Sequence, residues 1–177
     1  MTPDAPLSLI AAGYSTRAAA LEDFTTIWGS RFQGDFHHTS VAVLGRDSRG
    51  ELRVVRHNST AKHLVWGGAL LGGALVVLAP TTGVRMLAAV GLTGAGAIID
   101  HVHHNGDARE LSVIADLLEE SAWGIVAVVV NRGGEVMTPL LPRADSRHSM
   151  DMPWGDLEEE LCQDFSTPPS GDVLVAT

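Results

Sequence analysis

The sequence predicts a mixed α+β domain, and three observations carry that expectation. Between residues 6 and 131, apolar patterns of strand and helix period follow one another as strand, helix, strand, strand, helix, strand. A glycine-rich apolar run, GGALLGGALVVLAPTTGVRMLAAVGLTGAGAII at 67–99, interrupts that order after the third strand. Beyond Pro142 the chain turns acidic: residues 143–177 hold eight Asp and Glu against Arg143 and Arg147, supplying -6 of the formal net charge of -9.

Pro6 to Tyr14 is apolar and ends at a turn-like Gly13, as a buried first strand would. A helix should follow, with Ser15 as N-cap and Leu21, Phe24, Trp28 and Phe32 recurring at near-helical spacing until Gly34. His38 to Leu44 contains the strand-like TSVAVL, GRDSRG has turn chemistry, and Glu51 to Val55 resumes the strand pattern, so the two strands should form a hairpin. Asp107 with Glu110 three residues on has the form of a capping box, and Leu111, Ile114 and Leu118 make the apolar stripe of a second helix ending near Gly124. IVAVVV at 125–130 is a β-branched run, broken only by Ala127, and suits a central strand buried on both faces. The order is that of a split βαβ, ferredoxin-like fold, expected to carry both helices on one face of the sheet and leave the other free. The expected organisation is a domain over 1–142 with a hairpin inserted at 63–100. An acidic tail over 143–177 follows, with one short helix, WGDLEEELCQDF, after Pro153.

The insertion reads as two apolar helices joined by a tight turn at Pro80 to Gly83, because Leu64–Pro80 and Met86–Ile99 carry no charge. At ~1.5 Å per residue the arms span roughly 25 Å and 21 Å, short of the about 30 Å of a hydrocarbon core. Glycine costs a helix roughly 1 kcal/mol relative to alanine, so something must offset its abundance. The small residues repeat on one face of each arm: Gly68 with Gly72, Ala69 with Gly73, then Ala88, Gly91 and Ala95. Such stripes let helix backbones approach closely, between the arms or between chains. The opposite faces, with Leu70, Leu71, Val77, Leu78, Met86 and Val90, still need cover from lipid or a second subunit. The competing expectation is that the hairpin folds back on the free face of its own sheet.

These features together resemble the bacterial small predicted membrane proteins catalogued as domain of unknown function 1269, some described as stress-related. The similarity rests on AAALEDF, VAVLGRDSRGELRVVRHNSTA, the glycine-rich hairpin and GIVAVVVNRGGE, across roughly residues 6–132. It implies a ferredoxin-like domain that meets membrane or itself through the hairpin, and it brings no catalytic residues. The wealth of histidine and the tail after Pro142 depart from that pattern.

There are eight histidines. In the expected topology His37 and His38 start the second strand, His57 ends the third, His63 enters the insertion, and His101, His103 and His104 leave it. All seven would then share one end of the sheet. One reading is a divalent or transition-metal site, with Asp100 as ligand or orienting partner. A second is a pH-sensitive collar of imidazoles. A third is plain polar loop chemistry at the base of a hairpin.

Other classes of chemistry find little footing. No basic stripe exists to neutralise phosphates, which argues against nucleic acid as a partner. Gly94-Ala-Gly96-Ala-Ile-Ile99 opens like a dinucleotide fingerprint but lacks its third glycine and follows no strand. Nothing orders Ser, His and Asp into a triad. Cys162 stands alone among carboxylates, which excludes an intrachain disulfide and disfavours a thiolate. Trp66 and Trp154 would suit interfacial anchoring or ordinary packing. With no basic leader at the amino terminus, no secretory signal is expected. The expectation is therefore a non-enzymatic homo-oligomer without a cofactor, unless it binds a divalent metal. It would lie at the cytosolic face of the cytoplasmic membrane or in the cytoplasm as a soluble assembly. A histidine-based metal-binding or pH-sensing protein is the alternative.

Overall fold

A computed structural model describes residues 6–30, 36–59, 101–102, 104–131 and 138–153. Among the described residues are five strands and two α-helices, β1 (Pro6–Tyr14), α1 (Arg17–Ser30), β2 (Phe36–Arg46), β3 (Leu52–Ser59), α2 (Ala108–Glu120), β4 (Trp123–Asn131) and β5 (Ser146–Pro153), with a single 3-10 turn at Thr138–Leu140. The strands form one antiparallel sheet in the order β3-β2-β4-β1-β5. The class is α+β, as expected. The inserted hairpin, the small-residue stripes within it and the acidic segment after Pro153 lie outside the described residues.

Alternation along the central strands explains the layering. Ile10, Ala12 and Tyr14 of β1 and Ile125, Ala127 and Val129 of β4 pack with Ala20, Phe24 and Ile27 of α1. Their neighbours Leu7, Leu9, Ala11, Val126, Val128 and Val130 pack with Ile114, Ala115 and Leu118 of α2. Successive strand residues point to opposite faces, so the helices lie on opposite sides of the sheet. This corrects the expectation that both cover one face. The strand order also differs from the expected fold in placing β4 between β1 and β2, and β2 between β3 and β4. A run such as IVAVVV can be buried on both sides only if both sides are covered.

Two local details differ from expectation. The cap of α1 is Thr16, whose Oγ1 accepts from the Ala19 N–H at 3.3 Å, whereas the Ser15 N–H donates to Asp145 Oδ2 at 2.6 Å. Asp107 does cap α2, accepting from the Arg109 N–H at 2.8 Å, but Glu110 turns away to His148. The larger correction is β5. Residues 146–153, expected within the acidic tail, are a regular edge strand pairing with β1 from Pro6↔Pro153 to Gly13↔Ser146. Its Met150 and Met152 enter the core beneath α2, while Arg147, Ser149 and Asp151 stay exposed.

Candidate functional site

Titratable side chains gather where α2 lies over β5. Glu110, one turn into α2, faces β5 because its neighbour Ile114 is held in the core, and it meets the His148 imidazole Nε2. His101 precedes α2 and is only 6 % exposed. Its Nε2 lies 2.6 Å from the Pro153 carbonyl, which can only accept, so the ring proton sits there. The Asn105 amide donates to the His101 Nδ1 and to the His101 carbonyl, both at 3.2 Å. Both ring nitrogens are thus engaged. A metal at His101 would have to displace one of these bonds. Ser8 Oγ donates to Asp151 Oδ1 at 2.5 Å, so the strand is fastened by side chains along its length.

The other candidate histidines are dispersed. His37 and His38 lie in β2, His37 opposite Val130. His57 is on β3 opposite Ala42, exposed, and five residues along β2 from His37. His104 is exposed, and His103 and His63 lie outside the described residues, as does Asp100. Among the described residues, no three His, Cys, Asp or Glu side chains gather as metal ligands would. None of their helices is long and apolar enough to cross a membrane.

A second polar cluster ties α1 to the approach of β5. Asp23 is fully buried on the inner face of α1. It accepts from the Tyr14 hydroxyl at 3.1 Å, the Arg143 backbone N–H at 3.0 Å and the Arg143 guanidinium at 3.3 Å, while Glu22 pairs with Arg143 Nε at 2.6 Å. Burial first, and the Asp23 carboxylate second, push the Tyr14 phenol far above its ordinary range, so it remains a donor. The sequence reading passed over Asp23, Tyr14, Arg143 and His148. The signal for Asp23 was a carboxylate one residue from Phe24 in an otherwise apolar stripe. For His148 it was the period-two alternation of RHSMDM.

At the opposite edge the charges serve the hairpin and the helix ends. Arg46 donates to the carbonyls of Leu118 at 3.3 Å, Glu119 and Ser121 at 3.1 Å, neutralising the C-terminus of α2, and to Gly50 O at 2.6 Å. Asp47 accepts from the N–H groups of Arg49 at 2.8 Å and Glu51 at 3.1 Å and pairs with Arg53 at 2.7 Å. The Arg49 bond is the leading cause holding its carboxyl below the usual carboxylate range. Gly50, at φ +80, completes the turn with a conformation side chains resist. Arg56 lies over the Phe24 ring at 4.9 Å, and Arg17 over Trp123 at 5.7 Å.

No family model, curated protein or solved structure matches the chain. Function has to be argued from these residues alone.

Proposed function

We propose that the chain is a non-enzymatic self-associating module. In this reading the α+β head is a variant of the split βαβ plan, and the glycine-rich hairpin inserted between β3 and α2 assembles with copies of itself. The assembly sits at the cytosolic face of the cytoplasmic membrane or stands free in the cytoplasm. A stress-related role is what the family resemblance adds. The observation that carries the proposal is the spacing of Gly68 with Gly72, of Ala69 with Gly73, and of Ala88, Gly91 and Ala95, which in a helix would put each set on one face. Glycine is unfavourable in a helix unless backbones come close. The head lends support, because its buried ionisable groups are occupied in holding the framework: Asp23 by Tyr14 and Arg143, His101 by Pro153 and Asn105.

Replacing Gly72 or Gly91 by leucine tests this, since a branched side chain there would hold the backbones apart. Light scattering on the purified variants should show a lower assembly mass than the parent. Equal masses for parent and both variants would contradict the proposal.

A further inference from the structure

We propose that the turn joining the insertion to α2 is a proton-operated joint, closed while His101 is neutral and opened when His101 takes up a second ring proton. His101, Val102, His104 and Asn105 lie in helical backbone, and the turn ends where the Gly106 N–H donates to the Val102 carbonyl at 2.8 Å. Two anchors hold it to the head. Val102 is buried in the core on the α2 side of the sheet, and His101 docks on the end of β5. The joint sits where the insertion returns to the head, so it makes that attachment conditional on pH, and it stands or falls independently of self-association.

The hydrogen bonds fix the charge state of the ring. The Pro153 carbonyl can only accept, so Nε2 carries the proton. The Asn105 amide reaches both the His101 carbonyl and the His101 Nδ1, each at 3.2 Å. The His101 carbonyl also can only accept, so it is the NH2 of Asn105 that faces the ring, and Nδ1 is a bare acceptor. A proton added at Nδ1 would set a donor against a donor. Rotating the amide to present its oxygen would break its bond to the His101 carbonyl, which ties Asn105 to the residue four before it. The ring is 6 % exposed, so water reaches little of the added charge. Closed turn and neutral ring therefore go together, and acid favours the open turn.

The charged groups nearby are engaged elsewhere. Glu110 of α2 pairs with His148 of β5, Asp107 caps α2 through the Arg109 N–H, and Asp151 accepts from Ser8 on the other face of β5. β1 brings only Pro6 and Leu7 opposite that end of β5. His104 and Arg109 are exposed. Among the described residues, no carboxylate is bonded to His101. His148 responds in the opposite sense, because it faces the Glu110 carboxylate and a second ring proton there makes an ion pair. Acid should thus open the joint while α2 stays on β5.

NMR on the intact chain tests this without a variant. Long-range 1H–15N spectra report the tautomer and charge of the His101 ring, and hydrogen exchange reports the protection of the Gly106 amide, corrected for the pH dependence of exchange itself. From about pH 7.5 to about pH 5.5, across the ordinary imidazole value of about 6.5, gain of the second His101 proton and loss of Gly106 protection should coincide, with protection falling by up to about tenfold per pH unit. A charged ring in a closed turn, an open turn around a neutral ring, or no change in either overturns the proposal. His101→Gln keeps a donor for Pro153 and cannot titrate, so its Gly106 protection should stay constant over that range; a fall equal to the parent's also overturns it. His148→Gln should leave the fall as in the parent, and loss of the fall would place the switch at Glu110 and His148 instead. If self-association alone fails, assembly mass ignores Gly72→Leu while the pH-linked loss of protection persists; if the joint alone fails, the mass falls and protection ignores pH.

Discussion

The two edges of the sheet are built on opposite plans. β3 is held by its own hairpin: Asp47 ties the turn, Arg53 pairs with Asp47, and the strand is bulged where Val43 faces Arg56 and Leu44 faces Val54, leaving Val55 over. Val55 is 44 % exposed, and Arg53 and Arg56 bring positive charge to the edge. A bulge and charged side chains are how proteins blunt an edge against pairing. β5 is reached from far along the chain, and long-range bonds fasten its approach: Arg143 to Asp23, Asp145 to Ser15, then Ser8 to Asp151. It has no bulge, and its exposed charges are of both signs. One edge is closed by local chemistry, whereas the other depends on the tertiary fold.

Variants that act on one edge and spare the other test this contrast. Asp23→Ala should have the largest effect. It leaves the buried Tyr14 hydroxyl and the Arg143 N–H without their acceptor, at a cost of about 3 kcal/mol. Thermal melting reads the total, and hydrogen exchange should show β5 amides losing protection before those of β3. Equal loss at both edges would mean that Asp23 stabilises the core rather than the approach to β5. Gly45→Val strikes the other side. The Trp123 ring fills the space a Cβ at Gly45 would take, so overpacking should cost about 2 kcal/mol and open β2 and β3 first. Arg46→Met should remove about 1 kcal/mol by releasing the last carbonyls of α2, and chemical denaturation should report it.

The smallest effect is a pH dependence confined to the β3 hairpin. The folded Asp47 carboxyl is held below its unfolded value of about 4. Its contribution is therefore complete above that pH and is lost as the pH falls through the lower folded value. Amide shifts of Arg49 and Glu51 should follow this acid transition, and Asp47→Asn should abolish it. An unchanged transition in that variant would assign it to another group.

Much of this contrast is legible in the sequence, and the remainder is hidden for identifiable reasons. β1, α1, the hairpin, α2 and β4 announce themselves through apolar periodicity and turn residues, because each buries a full face. The two-faced burial expected of IVAVVV needs cover on both sides of the sheet, but both helices were expected on one face, because amphipathic stripes do not say which face a helix takes. β5 hides because an edge strand needs only one apolar face, and in SRHSMDMP that face is two methionines among polar neighbours. The acidic run that follows drew it into the tail. The Asp23 cluster is equally faint, since a buried carboxylate is recognisable only once its partners, 9 and 120 residues away, are in place. Of the candidate site, His101 was legible as a residue, but its engagement with Pro153 depended on a strand that had not been foreseen.

Self-association is the claim on which the rest depends. Sedimentation velocity of the intact chain over a wide concentration range measures it most directly. The account predicts particles whose masses are multiples of 18.7 kDa, from two chains upward. A single species at the mass of one chain throughout that range would contradict it.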